Sequence, residues 1–447
     1  MKVMEKVDYI ICGDYVLTMN GKLDTLRKGA VAVQGARIID VGAAEAILEK
    51  YTPVRLIAGE GRAVLPGFIN THTHAPMVFF RGLADDLPLK DWLEKHIWPA
   101  ESSLLSPDFV CDATALACLE MAKAGVTTYN DMYFFGSSSA LSAKAIGIRA
   151  FLGAGIVDFP TMSARNAGEY LKNAEVFIND WKGDDLITPC LAPHSAYACS
   201  PETLQKVTAL AGRLDVLASI HLAETEWEVG ESISRHGKRP LEHLEAIGFL
   251  NEKVLAAHCI WLEDSEIGVL AERGVGVSHC IESNLKLASG IAPVPHMLRA
   301  GVKVTFGTDG AASNNDLSIL SDMSTAAKVH KAITKDPTAL DSKTALLMAT
   351  RWGAEVLGAG DSTGSIEKGK LADIITINLQ KPHLAPMYDI YSHIVYAAGA
   401  SDVDTVVVNG KLIIDGRRPV TCDEEGILLK ASEWGKKIAA YNSSHPQ

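Results

Sequence analysis

The sequence predicts an α/β protein: a (β/α)8 TIM-like barrel inserted in a small β-sandwich domain formed by both chain termini. Three observations carry that expectation. Both ends of the chain are rich in β-branched and aromatic runs, and the middle is not. The middle alternates short apolar runs with longer helical patterns, the rhythm of βα units around buried parallel strands. Eight such runs occur there, the number that closes a barrel. A doubly wound open sheet is the alternative reading of the same alternation.

In order, residues 7–11 and 15–19 read as two short strands. Residues 30–33 and 37–41 flank a turn at Gln34-Gly35-Ala36, a hairpin signature. The matching block at the other end begins with residues 372–377. It continues as a second hairpin, in which 406–408 and 412–414 flank Asn409-Gly410, a pair favoured in type I′ turns. The expected partition is 1–61 for the first part of the β-domain, 62–368 for the barrel, and 369–447 for the rest of the β-domain with a C-terminal helix. The first barrel strand leads into Pro66-Gly67-Phe68-Ile69-Asn70-Thr71-His72-Thr73-His74. The other seven fall at 125–130, 148–153, 187–192, 216–220, 254–257, 275–278 and 302–307.

A chain of 447 residues with 47% apolar and 21% charged residues has the composition of an ordinary soluble protein with a sizeable core. The formal net charge of −12 argues against nucleic acid as a partner. No apolar run approaches the ~20 residues of a membrane span, and the N-terminal residues form no apolar signal core. The eight cysteines are scattered and include no Cys-x-x-Cys pair, as expected of a reduced, cytoplasmic compartment.

A barrel carries its chemistry at the C-terminal ends of its strands, and here those ends are polar in a pattern. The first strand ends in His72 and His74, which the two-residue alternation puts on one face. The fourth runs into His194. The fifth ends in His221, with Glu224 three residues on. The sixth, seventh and eighth end in His258, His279 and Asp309. A bare His-x-His is common, and a lone histidine is more often a satisfied core residue than a ligand. The recurrence at equivalent positions, six of fourteen histidines, is what carries weight. His72, His74, His221 and Asp309 are the set best able to converge, because the first and eighth strands adjoin in a closed barrel and the fifth faces them. Three imidazoles and a carboxylate suit Zn²⁺, and Fe²⁺ accepts the same ligands. Glu224 lies where a carboxylate could shuttle a proton, its plain alternative being an exposed loop carboxylate. His258 lies where an imidazole could hydrogen-bond an attacking or developing oxygen.

Four motifs resemble those of the amidohydrolase superfamily. They are the stretch 66–74, His221-Leu222-Ala223-Glu224, His279-Cys280-Ile281-Glu282-Ser283-Asn284 with Leu287-Ala288-Ser289-Gly290, and Gly307-Thr308-Asp309-Gly310-Ala311-Ala312-Ser313-Asn314-Asn315. Within it the chain is similar, over essentially its whole length, to the 5-methylthioadenosine/S-adenosylhomocysteine deaminases. That resemblance implies one metal, held by His72, His74, His221 and Asp309. Binuclear relatives use a carboxylated lysine at the end of the fourth strand, and Pro189-Cys190-Leu191-Ala192-Pro193-His194 has none. The resemblance also implies that Glu101 accepts hydrogen bonds from sugar hydroxyls, that His194 contacts substrate, and that Arg149 reaches a homocysteine carboxylate. The ordinary alternative for Arg149 is a structural ion pair. Arg165 is the nearby candidate for a second carboxylate-binding arginine, at a different spacing. The cytidine-deaminase type of zinc site wants Pro-Cys-x-x-Cys, which this chain lacks.

The expected activity is hydrolytic deamination of adenine nucleosides, with methylthioadenosine, S-adenosylhomocysteine and adenosine as candidates. Glu224 would move the protons, and His258 and Asp309 would hold the attacking oxygen. The same chemistry on guanine, a pterin or a triazine is the rival. A non-catalytic metal-binding scaffold is a second rival, which the presence of Glu224, His258 and Asp309 disfavours. The expected partners are a small nucleoside and, since relatives often self-associate, a second copy of the chain.

Overall fold

The computed structural model describes residues 4–57, 59–87 and 89–444. Its first strands are β1 (Glu5–Leu17), β2 (Thr25–Gln34), β3 (Arg37–Ala43), β4 (Tyr51–Ile57) and β5 (Arg62–Pro66). Eight barrel strands follow: β6 (Phe68–Thr73), β7 (Val126–Tyr133), β8 (Arg149–Ile156), β9 (Ile187–Pro193), β10 (Ala218–Leu222), β11 (Val254–His258), β12 (Gly276–His279) and β13 (Val304–Phe306). The chain closes with β14 (Ile374–Asn378), β15 (Val403–Val408), β16 (Lys411–Asp415) and β17 (Arg418–Pro419).

The terminal strands form one continuous sheet in the order β17-β16-β15-β14-β5-β1-β2-β3, with β4 also paired to β1. The two layers expected of a sandwich are thus a single hydrogen-bonded sheet curled on itself. The β2–β3 and β15–β16 turns meet where it curls. Ala372 N donates to Ala36 O at 2.8 Å, and a Cβ on Gly410 would stand 1.8 Å from the Gly35 carbonyl oxygen. Asn409 (φ 50°) and Gly410 (φ 72°) take the left-handed backbone that a type I′ turn requires. Ile11, Val31, Val33, Ile374 and Val407 share one apolar cluster between the layers.

Two expectations shift here. The strands expected at 7–11 and 15–19 are one strand, because β1 pairs with β2 without interruption and Gly13 sits opposite Gly29. Arg62–Pro66 pairs with β14 and β1. The chain therefore enters the barrel only after the Pro66-Gly67 bend.

The barrel strands are parallel and in sequence order from β6 to β13. Every residue of β6, β7, β10 and β11 is buried, because helices cover the outside and side chains fill the inside. The sheet closes where β13 returns to β6. Asp309 N donates to His72 O at 3.0 Å, and Asn70 Nδ2 donates to Thr308 Oγ1 at 2.7 Å. Gly307 permits this approach, since a Cβ there would lie 2.8 Å from the Cβ of His72. Beyond β17 the helix Glu424–Ser444 packs back on the barrel, where Trp434 Nε1 donates to Asp112 Oδ2 at 2.8 Å. No described helix is long and apolar enough to cross a membrane.

Candidate active site

The C-terminal ends of the barrel strands surround a cavity of about 260 Å³. His74, His194, His221, Glu224, His258 and Asp309 line its floor, and Glu101 lines its wall. His72 lies buried beside them. Strand ends that must turn sharply carry the site: Ala223, His258, Cys259 and Asp309 all have positive φ. Such conformations cost of order 1–3 kcal/mol each in non-glycine residues and persist here because the surrounding packing fixes them.

Four ligand atoms converge. Nε2 of His74 lies 3.2 Å from Nε2 of His221. Asp309 Oδ1 lies 3.5 Å from His72 Nε2 and 3.3 Å from His74 Nε2. Atoms set tetrahedrally at about 2.0–2.1 Å around one ion stand roughly 3.3 Å apart. The hydrogen-bond accounting points the same way. His74 Nδ1 meets the Met132 carbonyl at 2.6 Å, and His221 Nδ1 meets the His194 carbonyl at 2.8 Å. A carbonyl only accepts, so both Nδ1 atoms carry the proton. In the neutral rings the two Nε2 lone pairs then face each other, and His72 Nε2 is buried with no hydrogen-bond partner. Such an arrangement is stable only around a cation. Burial, chiefly, lowers the pKa of His72 to about 4 and holds that of His221 well below the usual range, so both are neutral at pH 7, the form able to ligate a metal. Burial works against ionising Asp309, but the imidazoles it faces keep its carboxyl well below the ordinary carboxylate range. Its Oδ2 accepts from Ser283 Oγ at 2.7 Å and Ser313 Oγ at 2.9 Å. These residues fit a divalent cation.

Glu224 is buried, not the exposed loop carboxylate of the plain alternative. Burial pushes its carboxyl above the usual range. Its Oε2 lies 3.8 Å from His258 Nε2. His258 Nδ1 lies 2.8 Å from Asn284 Oδ1, which turns Nε2 toward the cavity. Burial alone would lower the pKa of His258, yet the Glu224 and Asp309 carboxylates raise it. The His194 ring packs at a tilt against His221, centroids 4.5 Å apart. His279, by contrast, turns away from the centre and meets His330, their Nε2 atoms 3.0 Å apart.

Glu101 sits on the helix Trp98–Leu104 and accepts from the Tyr133 hydroxyl at 2.5 Å. Its burial raises its carboxyl to about 7. The two arginines are elsewhere. Arg149 opens β8 at the barrel's other end, where Nε donates to Asp373 Oδ2 at 3.1 Å and Nη1 to Asp185 O at 2.9 Å. An eight-residue strand spans roughly 20 Å or more, so this guanidinium cannot reach substrate at the mouth. It pins the barrel floor to the terminal sheet, and the expectation that it binds a carboxylate is corrected to the structural ion pair. Arg165 is exposed, and its side chain does not line the cavity.

One positioning residue escaped the reading of the sequence. Glu228 accepts from the backbone N–H groups of Ala223 at 3.0 Å and Glu224 at 2.8 Å. It thereby fixes the turn that presents Glu224. Its signal was Thr225-x-x-Glu228 at a helix start, since Thr225 Oγ1 caps Glu228 N.

Residues 63–413 match the amidohydrolase family profile. The chain belongs to the amidohydrolase family. It is 54% identical over 432 residues to a 5-methylthioadenosine/S-adenosylhomocysteine deaminase of Thermodesulfovibrio yellowstonii, covering 96% of this chain and 98% of that one. It is 43% identical over 435 residues to a 5′-deoxyadenosine deaminase of Methanosarcina mazei, covering 97% and 99%. Its fold is similar to the crystal structure of an adenosine deaminase from Xanthomonas campestris with bound zinc. The TM-score is 0.96 at 40% identity, over 98% of this chain and 100% of that one. This member of the family is thus a hydrolase with a centre suited to a divalent metal.

Proposed function

We propose that this amidohydrolase is a zinc-dependent deaminase of adenine nucleosides, releasing ammonia and an inosine-type product. The observation that carries this reading is one cavity with a cation nest of His72, His74, His221 and Asp309 at its floor and a half-buried carboxylate, Glu101, in its wall. The zinc in the similar Xanthomonas structure favours Zn²⁺. A divalent cation there would supply Lewis acidity, lowering the pKa of a water to about 7.

The chain's own residues do the rest. Asp309 and His258 orient the attacking water toward C6 of the purine. Glu224, its carboxyl raised by burial, delivers a proton to N1, so that ring electrons have somewhere to go as the C–O bond forms. Glu224 then takes the proton of the added hydroxyl and passes it to the exocyclic amine, so that the C6–N bond breaks, the C6 carbonyl forms and ammonia leaves. His194 packs beside His221 at the edge of the ring site. Glu101 accepts hydrogen bonds from two sugar hydroxyls, a role that a deaminase of bare heterocycles does not need.

Incubation with methylthioadenosine, 5′-deoxyadenosine or adenosine is expected to convert the adenine absorbance band to that of hypoxanthine. No change with any of them would sink the nucleoside reading. Glu101 adds a pH signature. Its carboxyl titrates at about 7, and only the ionised form can accept from both hydroxyls. kcat/KM should therefore hold above pH 7 and fall up to tenfold per unit below it. Glu101→Gln should lower kcat/KM and abolish that contribution to the acid limb. An unchanged limb would contradict the assignment.

A further inference from the structure

We infer that the site selects uncharged, apolar groups on the 5′-carbon of the nucleoside and discriminates against a 5′ chain ending in a carboxylate. The inference rests on the nucleoside reading above and deepens it. Trp98 lies one turn before Glu101 on the same helix, so the two share a face. A ribose held by Glu101 therefore puts its 5′-carbon beside Trp98. The Trp98 and Phe159 rings pack there, centroids 5.6 Å apart, and Leu93, Leu105 and Met162 extend the wall. Among the described residues, no lysine or arginine lines this cavity. Arg149 lies at the barrel's far end, and Arg165 lies outside the cavity.

The cavity opens past Leu93, Trp98 and Phe159 into an adjoining hollow. Two cations line that hollow, Lys90 and Arg235. Arg235 Nε holds Glu231 Oε1 at 2.5 Å. The Lys90 ammonium lies 5.1 Å over the Trp227 ring. Glu94, Glu226 and Glu231 line the same hollow. A long carboxylate-bearing tail would pass an apolar wall and arrive in a hollow where glutamates outnumber the two cations, losing hydration for little net attraction. A methyl or methylthio group instead buries apolar surface against Trp98, Phe159 and Met162. Trp98, Phe159 and Met162 are thus the specificity-determining residues.

The test compares kcat/KM of the zinc-loaded protein for 5′-deoxyadenosine, methylthioadenosine and S-adenosylhomocysteine. The two apolar substrates should exceed S-adenosylhomocysteine by more than tenfold. A smaller ratio, or a preference for S-adenosylhomocysteine, overturns the inference and leaves the deaminase reading standing. No turnover of any of the three overturns both. Met162→Arg, at the exposed rim of the wall, should raise the S-adenosylhomocysteine-to-methylthioadenosine ratio about tenfold. An unmoved ratio in folded variant overturns the placement of the 5′ group. The wild-type ratio decides alone where the variant does not fold.

Discussion

Asp309→Ala is expected to lose bound metal and turnover together, with kcat down by at least about 10³-fold. In the proposed mechanism Asp309 supplies a ligand atom to the cation and accepts from the attacking water, and its N–H closes β13 onto β6 through His72 O. Its backbone donor survives the substitution, so the barrel seam should stay closed. The carboxylate does not survive, and the Ser283 and Ser313 hydroxyls lose a shared partner. Metal analysis of the purified variant separates the two losses. Retention of metal and of wild-type kcat would contradict both roles.

Glu224→Gln should lower kcat by about 10²–10⁴-fold while leaving metal content unchanged. The amide keeps the shape of the side chain and the turn held by Glu228, but it can neither carry a proton to N1 nor pass one to the amine. Binding is less affected, so most of the loss should appear in kcat and little in KM. A loss of metal in this variant would make Glu224 a ligand, against its place beside His258 rather than among the Nε2 atoms. Near wild-type kcat would remove it as the proton shuttle.

The barrel was legible because its signal is repeated. Eight parallel strands covered on both faces recur at regular intervals and leave short, largely apolar runs in the sequence. The convergence of His72, His74, His221 and Asp309 was legible for a related reason: each sits at a strand end, and barrel closure dictates which ends adjoin. What was not legible depended on contacts between residues distant in sequence. Arg149 reads as an available cation until Asp373, distant in sequence, is seen against it. His279 occupies the same register as His258, yet meets His330 on the helix Ile319–Thr334. Glu228 looks like one acid among several until its two N–H partners are known. The curl that joins the terminal hairpins into one sheet depends on Gly410 meeting Gly35, a contact that local propensity cannot register.

The most direct test of the central claim, one cation shared by His72, His74, His221 and Asp309, is a stoichiometry. Chelator-stripped protein should be inactive, regain activity linearly on addition of Zn²⁺, and reach its plateau at one equivalent per chain, with thermal stability rising in parallel. Turnover by metal-free protein, or a plateau reached only at two equivalents, would contradict it.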